Sequence, residues 1–195
     1  GERIPRGYPE FFGGGTPEVK GSGRLVLAEW LSAAGSVQEA LMARTVVNRA
    51  WQNLFGEGLC RTPKELGRLG QVPEMPEMID GLAVRFIAGG WSVKRLVREI
   101  VLSEAYQRSA VVSADLLKRD PENRWLARQT VRRLELEPIM NTMTWLRHGL
   151  RHASPDARNA KLMGVQHFAP NFDGPTADDL ISRRVASISA TQALF

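Results

Sequence analysis

The groups best placed to do chemistry gather towards the end of the chain. Phe172-Asp173-Gly174-Pro175 sets a carboxylate at the head of a turn, Asp178 and Asp179 follow, and Arg183-Arg184 come next. A carboxylate close to paired guanidiniums can move a proton while the cations hold an anion. Asp173 is therefore the candidate acid or base, and Arg183 and Arg184 are candidate anion ligands. More simply, Asp-Gly-Pro shapes a turn, and Asp178-Asp179 cap the short helix that carries the two arginines. A second basic group is Arg124, Arg128 and Arg132, four residues apart, with Arg133 adjacent. On a continuous helix these form a guanidinium stripe with a step of about 6 Å, suited to phosphate, sulfate or carboxylate. Arg128, Arg132 and Arg133 are thus added to the anion-binding candidates. Pairing with acids of the same fold, Glu122, Glu135 and Glu137 among them, is the commoner fate of such charges.

His148 and His152 could place two imidazoles on one helix face, with His167 as a third ligand. However, Gly149 and Ser154-Pro155 end a helix there, and a helix C-terminus favours histidine for its own dipole. No metal site is expected. The single cysteine, Cys60, has no partner for a disulfide and no flanking His or acid, so it reads as a small structural thiol. There is no Gly-rich phosphate loop, Gly-x-Ser-x-Gly elbow or His-Glu-x-x-His.

The elements that must position these groups are helical. Residues 1–23 alternate Pro and Gly and read as an extended lead-in or linker, with Tyr8, Phe11 and Phe12 as its anchors. A short helix carries Leu25, Ala28 and Leu31 and ends near Gly35. Ser36 caps a long second helix, with Glu39 completing a capping box. On that helix Val47, Ala50, Trp51, Leu54 and Phe55 form one apolar face, and Gly56 stops it. Arg44, Asn48, Arg49 and Trp51 are expected to form a structural polar core, Asn48 and Arg49 buried between helices. Thr62-Pro63-Lys64-Glu65 has the form of another helix start. Pro76 opens a helix with Met78, Ile79, Leu82, Ala83, Phe86 and Ile87 on one face, closed by Gly89-Gly90. Ser92 caps the next, striped by Val93, Leu96, Val97, Ile100 and Val101. A polar stretch at 109–113 is followed by a helix start at Asp120-Pro121-Glu122-Asn123 running into Arg124–Arg128. A further helix from about Leu136 carries Ile139, Met140, Met143, Leu146 and Leu150. Residues 151–188 lack long periodicity and are expected to be irregular. The class is mainly α: an irregular multi-helix domain over 24–195, with a loop-rich C-terminal third and no strand alternation or repeat.

A hydrophobic share of 43% and a charged share of 24% are those of an ordinary globular chain, and no apolar run reaches the length of a membrane span. The net charge of +5 is spread among interleaved acids rather than drawn into a stripe, so nucleic acid is an unlikely partner.

In order along the chain, several segments resemble one family. These are Ser22–Leu31, then Ala43-Arg44, Asn48-Arg49-Ala50-Trp51-Gln52 and Phe55-Gly56-Glu57-Gly58-Leu59, then Arg61-Thr62-Pro63, Pro76–Asp80, Gly90–Leu96 and Ser103–Ser109. Asp120–Arg124, Arg132–Glu135, Phe172–Pro175, Arg183-Arg184 and Ala190–Leu194 continue the series. The family is the C-terminal domain of unknown function of planctomycete-type cytochrome c proteins, DUF1553. The chain departs from it at Met75, where the family commonly has His, and at Met140-Asn141, which replace an Arg-Asp pair. The resemblance implies an exported, multidomain parent in which haem c belongs to another domain, with no cofactor in this chain. It also implies truncation at both ends, the helix-like Ala190–Phe195 stopping short. The function expected is a non-catalytic helical module docking onto a haem-bearing or substrate-binding domain of the same protein. The alternative is an extracellular enzyme or binder acting on anionic polysaccharide.

Overall fold

A computed structural model describes residues 5–142, apart from 20, 67–68, 136–137 and 140–141. It is mainly α. Among the described residues there are five α-helices and no strand: α1 Arg24–Leu31, α2 Val37–Phe55, α3 Pro76–Ala88, α4 Val93–Val101 and α5 Ala114–Arg119. The chain divides into two compact units, Gly1–Thr130 and Val131–Phe195. In the second unit Pro138, Ile139 and Thr142 are helical, and the Thr142 hydroxyl donates to the Pro138 carbonyl at 2.9 Å. The rest of that expected helix, with His148, His152, His167, Asp173, Arg183, Arg184 and the segment 190–195, lies outside the described residues.

The first unit is organised around α2. The Ser36 hydroxyl accepts the Glu39 N–H at 3.0 Å, while the Glu39 carboxylate takes the Gly35 N–H at 2.7 Å. The capping box thus closes one residue early, because the Ser36 N–H is already given to the Ala33 carbonyl. At the far end Gly56, at φ 90°, takes the left-handed cap and returns its N–H to the Gln52 carbonyl. Between the caps, Ala43, Val47, Trp51 and Phe55 are buried against Ile79, Leu82, Ala83 and Phe86 of α3 and Leu96 and Ile100 of α4. Trp51 stacks on Phe55 with ring centroids 4.1 Å apart, and Tyr106 meets Phe55 edge-on. Fully burying one such side chain stabilises by about 1.5–3 kcal/mol, so this apolar stripe accounts for the packing of three helices.

Pro76 is the first residue of α3, and the helix closes with a Schellman motif. Gly90 donates to Ile87 and Trp91 to Phe86, and the Trp91 ring packs edge-on against Phe86 at 5.2 Å. Ser92 then caps α4 as expected, its hydroxyl accepting the Arg95 N–H.

Four expectations need correction. Thr62–Glu65 makes one turn and no helix: the Thr62 hydroxyl takes the Gln71 N–H and donates to Glu65, tying the segment to itself. Residues 120–130 are a loop of turns, with Asn123 and Leu126 at positive φ (53° and 51°), so the arginine stripe does not exist. Helix α5, on which there was no expectation, follows the polar stretch 109–113 behind a Ser113 cap, with Asp115 in its first turn and Lys118 and Arg119 in its last. Arg49 is exposed rather than buried: it lies one step past the Asn48 position, on the solvent side of α2. The lead-in includes a 3-10 turn, Glu10–Phe12. Tyr8 stacks on Trp30 of α1 at 4.6 Å and Phe12 meets it edge-on, whereas Phe11 is 85% exposed and anchors nothing in the core.

Candidate functional site

The polar residues expected in the core of α2 divide by role. Asn48 is fully buried and grips the backbone of Cys60 from both sides. Its Nδ2 donates to the Cys60 carbonyl at 3.0 Å and its Oδ1 accepts the Cys60 N–H at 2.8 Å. This two-point bond folds the turn after α2 back along the helix. The turn passes so close that a Cβ on Gly58 would lie 2.8 Å from the Asn48 amide and 2.6 Å from the Cys60 carbonyl oxygen. The Phe-Gly-x-Gly-Leu pattern therefore combines a left-handed cap at Gly56 with a contact surface at Gly58. Arg44 bridges to Asp80 of α3 at 2.6 Å, and Trp51 supplies ring area to the core. The Cys60 thiol is buried and points at the Gln71 carbonyl, 3.3 Å away, so it packs as a small polar-tipped side chain.

The folded-back turn brings Arg61 beside the 120–130 loop. Its guanidinium reaches the Glu122 carboxylate at 3.2 Å and the Glu122 carbonyl at 3.1 Å. Arg124 spans the same Glu122, at 2.8 Å, and Glu74, at 2.6 Å. The Arg124 hydrogen bond and charge, with Arg61 behind them, hold the Glu122 carboxyl below the usual glutamate range; the same pairs raise Arg124 further. Beneath this exposed chain of charges, Asp120 is 3% exposed. One of its carboxylate oxygens accepts the Arg124 N–H at 2.7 Å, the other the Trp125 N–H at 2.9 Å. Burial pushes the Asp120 carboxyl up, but the two backbone donors and the charges of Arg128 and Arg61 outweigh it and hold it below the usual aspartate range.

Arg128 completes the brace. It donates to the Asp120 carbonyl at 2.8 Å and the Pro121 carbonyl at 2.7 Å. Asn123 crosses the loop to the Arg128 carbonyl at 2.7 Å and the Thr130 hydroxyl at 3.2 Å. Together Trp51, Phe55, Leu59, Met75 and Leu126 line a small cavity of about 40 Å³ below the charges, room for water and no more.

Of the anion candidates, Arg128 is thus spent on two carbonyls of its own loop, while Arg132 and Arg133 are exposed and engaged within the protein. Asp120, Glu74, Arg61 and Asn123 were not among the sequence candidates for this site. The signal was local: Asp-Pro-x-Asn is as much a turn pattern as a helix start, because Asn tolerates the left-handed conformation that Asn123 adopts. Among the described residues no group of three His, Cys, Asp or Glu is placed to hold a metal ion, and no helix is long and apolar enough to cross a membrane.

The Asn-Arg-x-Trp-Gln helix, its Phe-Gly-x-Gly-Leu turn and the Asp-Pro-Glu-Asn-Arg loop form one connected structure. The PSD1 family model, described as a protein of unknown function (DUF1553), matches residues 23–164, which include all three. The chain belongs to the DUF1553 family. Comparison with curated proteins and with solved structures gives no match. The DUF1553 match opens at Gly23, the cap of α1, so the lead-in up to residue 22 lies outside it. The residues that join α2 to the 120–130 loop are all inside it.

Proposed function

We propose that this DUF1553 domain is a non-catalytic docking module of an exported multidomain protein, seated against a haem-bearing or substrate-binding domain of the same parent through the 120–130 loop. The observation that carries this is Trp125. The residue is 59% exposed, yet its backbone N–H is held by the buried Asp120 carboxylate and its loop is braced by Arg128, Asn123 and Arg124. A large aromatic ring on a prearranged loop binds with little further loss of entropy, the property that makes tryptophan dominant at interface centres. The Asp120, Asn123, Arg124 and Arg128 side chains around it are engaged within the protein, so they hold a shape and leave recognition to the ring.

An anionic-glycan site draws less support from the described residues, since Arg124 and Arg128 are both committed to protein acceptors. The test is amide hydrogen exchange of residues 120–130 in the full-length parent and in this chain alone. Docking predicts slower exchange in the parent, lost on Trp125→Ala. Equal exchange in both would refute it. A change in haem potential on the same substitution would point to the haem domain as partner; an unchanged potential with restored exchange would point to the substrate domain.

A further inference from the structure

Helix α4 carries its charge unevenly. Leu96 and Ile100 are buried in the core with α2 and α3, while Lys94, Arg95 and Arg98 are exposed on the other side. At about 100° per residue, Arg98 lies about 40° round the helix from Lys94 and Arg95 about 100° round, so the three cations share one arc. Leu102, 61% exposed at the helix end, falls between Arg98 and Arg95 on that arc. The one acid of the helix, Glu99, is taken by Arg85 of α3 at 2.5 Å. Among the described residues none of Lys94, Arg95 and Arg98 has an acid partner.

The stability of α4 does not account for this arrangement. Lys94 and Arg95 stand in the first turn, which holds no acid, and there the positive end of the helix dipole repels a cation. Only Arg98, in the last turn, is favoured by that field. The Arg95 stem lies along the turn between α3 and α4, where a Cβ on Gly89 would come within 3.3 Å of its Cδ. That contact holds part of the side chain in place before any partner arrives.

Charge and shape select the kind of partner. The three cations fall within about one turn, a rise of roughly 6 Å. A long glycan or nucleic acid gains from an array that continues, and here Leu102 and the exposed acid Glu104 follow instead. A membrane surface takes an apolar helix face, and that of α4 is spent in the core. A leucine among guanidiniums matches a protein interface, where arginine is enriched and grips carboxylates with two parallel bonds. Carboxylates three and four residues apart on a facing helix have the matching spacing.

We propose that the outer face of α4 docks a compact acidic patch on another domain of the same parent, carboxylates meeting Lys94, Arg95 and Arg98 and an apolar side chain meeting Leu102. The inference rests on the docking reading and names the chemistry of the surface that is docked.

Zero-length cross-linking of the full-length parent with a carbodiimide, followed by mass spectrometry, tests it, because this reagent joins an amine to a carboxylate only where the two touch. Lys94 is expected to be joined to an Asp or Glu of another domain, with the yield falling as salt is raised. In Arg95→Glu/Arg98→Glu, which keeps Lys94, the yield should fall by about tenfold or more, since like charges then face each other. No Lys94 link to another domain, a yield indifferent to salt, or an unchanged yield in the double variant would each overturn the proposal. So would protection of the Lys94 amine from acetic anhydride that requires added dextran sulfate or phosphatidylserine vesicles, which would assign the face to a glycan or a membrane. Slowed exchange at 120–130 without a Lys94 link would remove this inference and leave docking through Trp125 standing. A Lys94 link with unchanged exchange would do the reverse. The link and its salt dependence are read on the wild type, so they decide the matter even if the variant fails to fold.

Discussion

Replacing Asn48 with Ala tests whether one amide holds the turn after α2. The substitution strands both the N–H and the C=O of Cys60, a residue 2% exposed, beside a position 1% exposed. A buried polar group left without a partner costs about 1–3 kcal/mol. Two of them, eased where water enters the space left by the side chain, give an expected loss of about 2–4 kcal/mol. For a chain of this length each kcal/mol lowers Tm by about 2–4 °C, so a fall of roughly 5–15 °C is expected in a thermal melt. Gly58→Ala attacks the same contact from the other side, because its Cβ would fall 2.8 Å from the Asn48 amide. The two losses should be less than additive: removing the amide relieves that clash, while the 2.6 Å approach to the Cys60 carbonyl remains. A melt of Asn48→Ala within a degree or so of wild type would refute the clamp, as would strict additivity in the double variant.

Other expectations concern the loop and the thiol. Arg128→Ala removes both donors to Asp120 and Pro121 and should speed proteolytic cutting within 120–130 severalfold before any change in the global melt; unchanged cutting would mean that the loop stands without the brace. The folded Asp120 carboxyl titrates below its unfolded value, so its stabilisation is complete above the usual aspartate range and lost as pH falls through the depressed value. Asp120→Asn should flatten that acid limb of the stability–pH curve, and an unaltered limb would count against the assignment. Cys60 should resist a bulky thiol reagent in the native protein and react on unfolding; rapid native labelling would contradict its burial.

The helices were legible in the sequence where local signals and burial agreed. Ser36 and Ser92 cap helices whose apolar stripes pack on each other, and Pro76 opens one for the same reason. Asp120–Arg128 failed because its acid, proline and arginines fit either a helix start or a turn. The choice was settled by partners far away in sequence, Arg61 and Glu74, which no local pattern contains. Asn48 was recognisable as a buried organiser, but not its partner, since backbone groups leave no mark in a sequence. Arg49, its neighbour, was misplaced because one step along a helix turns a side chain by about 100°. The packing of the lead-in across α1 was a tertiary event resting on Tyr8, Phe12 and Trp30.

The reach of the Arg61–Glu122 and Arg124–Glu74 pairs, 61 and 50 residues apart in sequence, bears on the order of folding. Helices α2, α3 and α4 follow one another in the chain and pack as neighbours, joined through residues 56–75 and 89–92, so their core closes over shorter stretches of chain than these ion pairs span, the kind of topology that folds faster. The 120–130 loop has to wait for that core, because its ionic partners sit on the turn after α2 and on the segment before α3. It is therefore placed to be the last part of the first unit to consolidate and the first to open, a late-forming latch over an early-forming spindle. Substitutions in α2 should slow folding, whereas those in the loop should chiefly hasten unfolding.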